Sequence, residues 1–498
     1  MRGPSGGEPG AGGEPGPGPG PGGGKPGEQA AGGKPLEQAA ALGTEPVGRL
    51  LWHACTQTTM SVGVYGVYAL SNAWFVSRAV GPVGLAAVNL VAPALLALGA
   101  VATAVGVAGG SMVSRSLGAA APDRAARAAG TAFTVFWLCA ALVSAGGLLL
   151  LNPLLTVLGA TGATRGYAYA YGQILLAGAP AATGFSSLVR AEGRMRFSAL
   201  LWIVPVLTQI SLDPLLIYGL GLGVRGAGLG TVGGQAVSAG MSVWFFFFQR
   251  VRPYRVTAAD LRPHGATLRE LLALGTPTFL SSAGASVLAA VANNLLAAMG
   301  GAVTLAAYAL CTRIGTFATM PQTGIAQGLQ PVAGYNAGLG RGTRVQRAIS
   351  LALRATLLYG AVVCVIMLVF ARPLVAVFTS DPALRAHTVS ALRLLALTYL
   401  FAGVSPLIAA SFQAVGRRGP AYLISAGTIV AVRIPMLLAC SRFGISGVLA
   451  SFPAAECTAA ALALFILRRY RASAGGLSGL PCQAAPARPR GDQESEPS

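Results

Sequence analysis

Two carboxylates stand well inside long apolar runs, Asp213 and Glu456. An ionised carboxylate in the middle of a membrane bundle is costly, so it is paired, hydrated or titrating. Asp213 follows Gln209 by one helical turn, which puts both on one face. A carboxylate and an amide oxygen in one small cavity can contribute to the all-oxygen shell of a hard cation such as sodium. A single desolvated carboxylate can instead carry a proton. The structural alternative is that Asp213 opens a break before Pro214 and satisfies backbone groups there. Glu456 follows Pro453, and Arg433 precedes Pro435. The pair reads either as a buried ion pair joining two helices or as a second cation or substrate site.

Other chemistries lack their residues. His53, His264 and His387 have no metal spacing, and the seven cysteines form no C-x-x-C pair or Cys/His cluster. No P-loop, Gly-x-Ser-x-Gly or His-Glu-x-x-His run occurs, so neither catalysis nor direct use of ATP is expected. No metal or cofactor is expected. Any coupling must come from an ion gradient, carried by H+ or Na+.

Elements that span a membrane must position these carboxylates. Hydrophobic residues make up 54% of the chain and charged ones 10%, too little charge to cover a soluble protein of 498 residues. Crossing a bilayer takes about 20 apolar residues per helix. Twelve such runs lie near 51–75, 84–112, 126–150, 167–189, 198–219, 227–249, 271–297, 304–333, 348–371, 387–412, 420–440 and 445–467. Arginines gather in the loops after even-numbered runs, Arg115, Arg124, Arg190, Arg194, Arg252, Arg341 and Arg417 among them. The positive-inside rule therefore places both termini in the cytoplasm. The net charge of +20 is this topology signal, since no basic face with interleaved aromatics suggests a nucleic-acid partner. The lipid bilayer itself is the expected large partner, with the chain a monomer.

The chain also repeats itself. Ala86-Ala87 returns as Ala306-Ala307, Gly118 as Gly338, Arg124 as Arg344, Gly193-Arg194 as Gly416-Arg417 and Pro214 as Pro435, with the offset drifting from 220 to 223 residues. Six runs per half return each half to its starting side, so the two are parallel repeats about an axis along the membrane normal. The expected fold is an all-α polytopic membrane protein of twelve transmembrane helices in two six-helix lobes. Its parts are a disordered Gly/Pro-rich tail (1–43), a first lobe (44–249), a basic linker (250–269), a second lobe (270–470) and a disordered tail (471–498). At the place the repeat pairs with Asp213, the second half carries Arg433.

Three stretches carry a family resemblance. Leu212-Asp213-Pro214-Leu215-Leu216-Ile217-Tyr218-Gly219 is followed by Gly226-Ala227-Gly228, Thr231 and Gln235. Met320-Pro321 leads to Gly324-Ile325, Gln327-Gly328, Gln330-Pro331 and Gly334-Tyr335-Asn336. The third is Phe412-Gln413-Ala414-Val415-Gly416-Arg417. Over roughly 45–470 the chain resembles the multidrug and toxic-compound extrusion (MATE) family, and within it the bacterial MepA-like multidrug export branch. The resemblance implies a central cleft between two lobes. It also implies export of amphipathic, often cationic drugs or metabolites across the bacterial inner (plasma) membrane by antiport of protons or sodium ions, with alternating access. It adds Asn72 and Thr231 to Asp213 and Gln209 as a cation-coupling group in the first lobe. Asn72 stands where family members often carry Asp, and Gln209 where they carry Asn. One carboxylate in place of two weakens the pull on sodium and favours a proton.

Tyr68, Asn293, Asn294, Met320, Gln327, Gln330 and Tyr335 are candidate cavity residues, with helix packing or interhelix hydrogen bonds as the alternative. Two other functions remain open at this level: a lipid-linked oligosaccharide flippase, whose central cavity is more basic, and a non-transporting receptor or scaffold on the same fold.

Overall fold

The computed structural model describes residues 38–157, 160, 162–181, 185–249 and 252–472. Their regular structure is all helical, with no strand among them. Val47–Gly118 is one continuous run that turns only at Gly81 (φ 74°, ψ −168°), which separates α1 (47–80) from α2 (82–118). Next come α3 (Pro122–Leu149), α4 in two pieces (Gly162–Ala177 and Ser186–Ala191), α5 (Met195–Pro214) and α6 (Val224–Val243). Gly265–Gly338 turns likewise at Gly301 (φ 63°, ψ −160°) into α7 (265–300) and α8 (302–338). The remainder is α9 (Gly342–Val369), α10 (Pro382–Ala414), α11 (418–440) and α12 (Gly444–Ala472). Among the described residues the long helices number twelve once the hairpins are divided at their glycines, with short helices at Leu151–Val157 and Ala371–Ala376 besides.

Prolines set the local irregularities. Pro214 has no N–H to give to the preceding turn, and its ring crowds the carbonyl of Ile210. The helix relaxes into a π turn over Leu215–Gly219 directly after it. In the second half, α11 passes through π turns at Leu423–Gly427 and Ile429–Arg433 just before Pro435.

The sequence repeat is a repeat of backbone conformation. Left-handed residues recur in pairs: Gly81 and Gly301, Gly193 and Gly416 (both φ 82°), Gly223 and Gly444, and Ala120 (φ 54°) with Gly340 (φ 71°). Ala120 alone fills such a position with a Cβ among the described residues, at a cost of roughly 1 kcal/mol. The repeat axis can also be located. A Cβ on Gly118 would lie 2.1 Å from the Tyr335 carbonyl oxygen and 3.2 Å from the Cα of Gly338, its own repeat counterpart. A Cβ on Gly338 would lie 2.2 Å from the Arg115 carbonyl. Equivalent residues that touch each other must flank the axis, so it runs between the arginine-rich ends of α2 and α8.

Each lobe holds two apolar clusters stacked along the helices. Away from the arginine-rich end, Val76 of α1 packs in the first lobe with Val91, Tyr171, Leu175 and Ile217, while Ala292 and Leu296 of α7 pack in the second with Tyr308, Leu392 and Leu395. At the arginine-rich end the assignments cross. Leu50, Leu51 and Ala54 of α1 are buried in the second lobe among Leu329, Ile349, Leu407 and Phe412. Leu271 and Leu274 of α7 are buried in the first lobe among Phe133, Phe136, Phe185 and Leu188. Each half lends the start of its first helix to the other, so lobe boundaries drawn along the chain at 44–249 and 270–470 do not follow the packing.

Three expectations need correction. Residues 38–43, assigned to a disordered tail, are helical, in a turn that runs on to residue 44. Leu42 is 2% exposed, its carbonyl accepts from Asn336, and the carbonyls of Gly43 and Glu45 accept from Arg341 and Arg344. Two apolar side chains, Ala39 and Leu42, suffice to dock this turn. Residues 1–37 and 473–498 lie outside the described residues. The linker 250–269 is bound to the first lobe: Leu261 accepts from Thr134 at 2.6 Å, and helix α7 already begins at Gly265. Finally, the Phe245–Phe248 run reads from sequence as lipid-facing, but Phe245 and Phe246 do not face lipid. They are buried against Phe133, Phe185 and Phe197 and under the guanidinium of Arg252.

Candidate functional site

Asp213 sits at the end of α5, just before Pro214, and is 1% exposed. The helix that faces it, α6, carries glycine at 226, 230 and 234, one per turn. Such small-residue spacing lets two helix backbones approach closely. A Cβ on Gly226 would lie 2.8 Å from Leu216, one on Gly234 2.8 Å from the Pro205 carbonyl, and one on Gly230 2.1 Å from Asp213 Oδ1. The Asp213 carboxylate fits against α6 because position 230 has no side chain.

The four residues assigned to this group do converge. Asn72 Nδ2 of α1 donates to Asp213 Oδ2 at 3.5 Å, at the limit of a hydrogen bond. Gln209 Nε2 donates to Thr231 Oγ1 at 2.9 Å, and Thr231 passes its own proton to the Ala227 carbonyl at 3.0 Å. All four are buried. Asp213 Oδ1 is buried and has no donor. Inside a bundle, an unsatisfied carboxylate oxygen calls for a proton or a cation. Beyond the pocket, Tyr218 OH reaches the Phe75 carbonyl at 3.1 Å and ties α1 to the π turn after Pro214.

The second lobe answers with a different device. Arg433 Nη2 contacts Glu456 Oε1 at 3.0 Å and Oε2 at 3.1 Å, joining α11 to α12. Both carboxylate oxygens of Glu456 are engaged, while Arg433 Nε is buried without a partner. With Pro214 and Pro435 aligned, Asp213 matches Ile434, so Arg433 is one residue away from being its strict counterpart.

The remaining candidates separate. Met320 packs across from Gly66 of α1, and Gln327 accepts from Arg190 of α4 at 3.2 Å, so both lie in the seam between lobes. Gln330 is buried in α8. Tyr335 belongs to the closed arginine-rich end, against Gly43 and Gly118, and lines no cleft. Asn293 and Asn294 are exposed on α7, off the face that Ala292 and Leu296 bury, and are not brought to the Asp213 group. Gln322 is packing glue: it donates to the Tyr399 carbonyl at 3.0 Å. The side chain of Tyr68 lies outside the described residues.

Several polar side chains of the seam carried no warning in the sequence beyond being polar. Arg190, 4% exposed, donates to Ser187, Ser198 and, across the seam, Gln327. Arg115 pairs with Glu270 at 3.0 Å, and Ser111 donates to the Gln413 carbonyl at 2.5 Å. Outside the helices, Glu192 and Arg252 form a fully buried ion pair beside Tyr254. Burial pushes the Tyr254 hydroxyl well above its ordinary pKa, and Glu192 adds to the shift. Burial opposes the charge on Arg252, but Glu192 and Tyr254 outweigh it and raise its pKa.

Among the described residues, the hydrogen bonds that cross between the packed lobes, Ser111–Gln413, Arg190–Gln327 and Gln413–Thr278, lie on the arginine-rich half of the molecule. The lobes are sealed there.

Two repeated six-helix lobes, a seam sealed at one end and a buried carboxylate with no ion partner among the described residues define a two-lobe helical membrane protein. The chain belongs to the MatE family, whose model matches residues 59–215 and 277–438. The multidrug export protein MepA of Staphylococcus haemolyticus is 28% identical over 413 residues, covering 81% of this chain and 90% of that one. A FAD transporter of Shewanella oneidensis is 24% identical over 420 residues, covering 82% and 91%. Among solved structures, a MOP superfamily transporter from Pyrococcus furiosus superposes with a TM-score of 0.82 at 23% identity, covering 87% of this chain and 97% of that one. An outward-facing multidrug resistance MATE family transporter gives 0.81 at 23% identity, covering 88% and 98%. These structures share the fold.

Proposed function

We propose that this chain is a secondary-active exporter of amphipathic small molecules, working by alternating access between its lobes and driven by an ion that enters at Asp213. The observation that carries the reading is Asp213 itself: a carboxylate 1% exposed, deep in a helix bundle, with Oδ1 unsatisfied. A group so placed binds a proton or a cation in one part of a cycle and releases it in another. The proton is favoured over sodium because Asn72, a neutral donor, points at the carboxylate where a second acid would be needed to hold sodium firmly. Likeness to the staphylococcal multidrug export protein supports export as the direction. The arginine-rich end, where the seam is sealed, is assigned to the cytoplasm by the positive-inside rule, which makes the described state closed inward. The membrane is assigned as the bacterial inner (plasma) membrane, with both termini cytoplasmic and the protein monomeric.

The test is dye export from a pump-deficient bacterial host, using a panel that includes ethidium and carboxyfluorescein. Wild type is expected to keep at least one dye below the level reached with an uncoupler. Asp213→Asn is expected to abolish that difference while inserting normally. Export by Asp213→Asn at the wild-type rate would remove Asp213 from the mechanism. Failure of wild type to export any dye favours the receptor or scaffold alternative. Replacing the proton gradient with a sodium gradient in proteoliposomes distinguishes the ions.

A further inference from the structure

Helix α8 presents one continuous stripe to α1 and α4, and its contacts define it. Gly328 meets Ala54 and Cys55, Gln327 meets Arg190, Gly324 meets Thr59, and Met320 and Phe317 meet Gly66. One turn further from the sealed end, four residues before Phe317 and seven before Met320, the same stripe reaches Arg313. Arg313 is exposed, and eleven residues from the start of α8 place it roughly 16 Å along the helix. It therefore faces the cleft between lobes at membrane depth.

Among the described residues no carboxylate neutralises it. Seven carboxylates lie between Leu51 and Tyr470. Asp123 sits in the first turn of α3. Glu192 is held by Arg252, Glu270 by Arg115 and Glu456 by Arg433. Asp260 accepts from Thr257, and Asp381 caps α10. Asp213 is buried behind Asn72. Deeper in the same seam, the contacts of Arg190 with Ser187, Ser198 and Gln327 are all to neutral groups. Arg354 lies opposite the buried stripe of α9, and Arg393 on the flank of α10; no contact places either in the seam. The wall of the cleft thus offers positive charge and no accessible carboxylate, beside the apolar surfaces of Phe317 and Met320.

We infer that the cargo of this cleft carries a negative group, a carboxylate, sulfonate or phosphate, on an aromatic or apolar body, with Arg313 as its anchor. A guanidinium presents a planar fork of donors that matches such oxyanions two at a time. In a cleft partly stripped of water, that contact discriminates strongly between an anion and a cation of equal size. The inference rests on the exporter reading and names the class of molecule exported.

The test uses the full chain in nanodiscs, with fluorescence anisotropy of carboxyfluorescein and of ethidium, two aromatic dyes of opposite charge. Wild type is expected to bind carboxyfluorescein the more tightly. Arg313→Gln is expected to weaken it roughly tenfold, the size of one charge-assisted hydrogen bond, and not to weaken ethidium. Arg313→Lys should keep most of the anion affinity, and Arg313→Glu should reverse the preference. Tighter binding of ethidium by wild type, which needs no variant, overturns the inference. So does unchanged carboxyfluorescein binding in Arg313→Gln. Dye export in cells separates the two levels. Export of ethidium alone overturns the anionic cargo and leaves the exporter standing, whereas export of neither dye overturns both.

Discussion

The two lobes share a frame and differ in where each keeps its carboxylate. In the first, Asp213 stands against a helix stripped to glycine at 226, 230 and 234 and is held weakly, by Asn72 at 3.5 Å with the Gln209 amide beside it. In the second, Glu456 is gripped at both oxygens by Arg433 at 3.0 and 3.1 Å. A satisfied carboxylate is a structural part, because removing its partner strands a charge. An unsatisfied one is poised to change its occupant. Duplication supplied two equivalent bundles, and one of them has been left chemically unfinished.

The largest expected effect sets these sites apart. Gly230→Ala would drive a methyl group to 2.1 Å from Asp213 Oδ1. Gradient-driven export should fall to background, as in Asp213→Asn, with a stability loss of about 1–3 kcal/mol from overpacking. Normal export by this variant would mean that the pocket does not need its glycine. Next, Glu456→Gln should leave Arg433 unpaired and cost about 3–5 kcal/mol in thermal unfolding in detergent. The exchanged pair, Arg433→Glu with Glu456→Arg, should regain much of it. If Glu456→Gln instead unfolds normally but loses coupling, the second lobe also holds an ion site and the contrast fails.

Smaller effects test the frame itself. Leu42→Asp should undock residues 38–44 and destabilise the sealed end by roughly 2 kcal/mol, read as faster cysteine labelling at Cys55, whereas removal of residues 1–37 should not. Ala120→Gly should stabilise the protein by about 1 kcal/mol by relieving its left-handed backbone, and Gly340→Ala at the matched position should cost about as much. Opposite shifts at these two sites would show that the halves are still equivalent where no chemistry is at stake.

Much of this frame can be read from residue types alone. Twelve apolar runs, arginine-bearing loops and a register of glycines hold because lipid forbids most alternatives. Asp213 and Gln209 are visible for the same reason, since buried polar groups in a membrane are rare. What stays hidden is which protein surface an apolar residue meets. Leu51 and Leu274 look like any leucine of a span, yet each is buried in the opposite lobe. Phe245 and Phe246 suggest lipid contact until Arg252 is seen over their rings. The partnership of Glu192 with Arg252 spans a separation of 60 residues with no local pattern. Leu42 escapes notice because it ends a tract of glycine and proline that masks a single packed turn.

The crossing of α1 has a mechanical consequence. Its start is clamped in the second lobe at Leu50, Leu51 and Ala54, and its far part holds Asn72 against Asp213 in the first. The rod between them is roughly 30 Å long. A tilt of about 5° between lobes would carry Asn72 some ~2.5 Å, enough to break a contact already at the limit of hydrogen bonding. The helix therefore works as a lever that converts lobe rotation into gain or loss of a donor at one oxygen, and by reciprocity converts the occupant of that oxygen into torque on the seal.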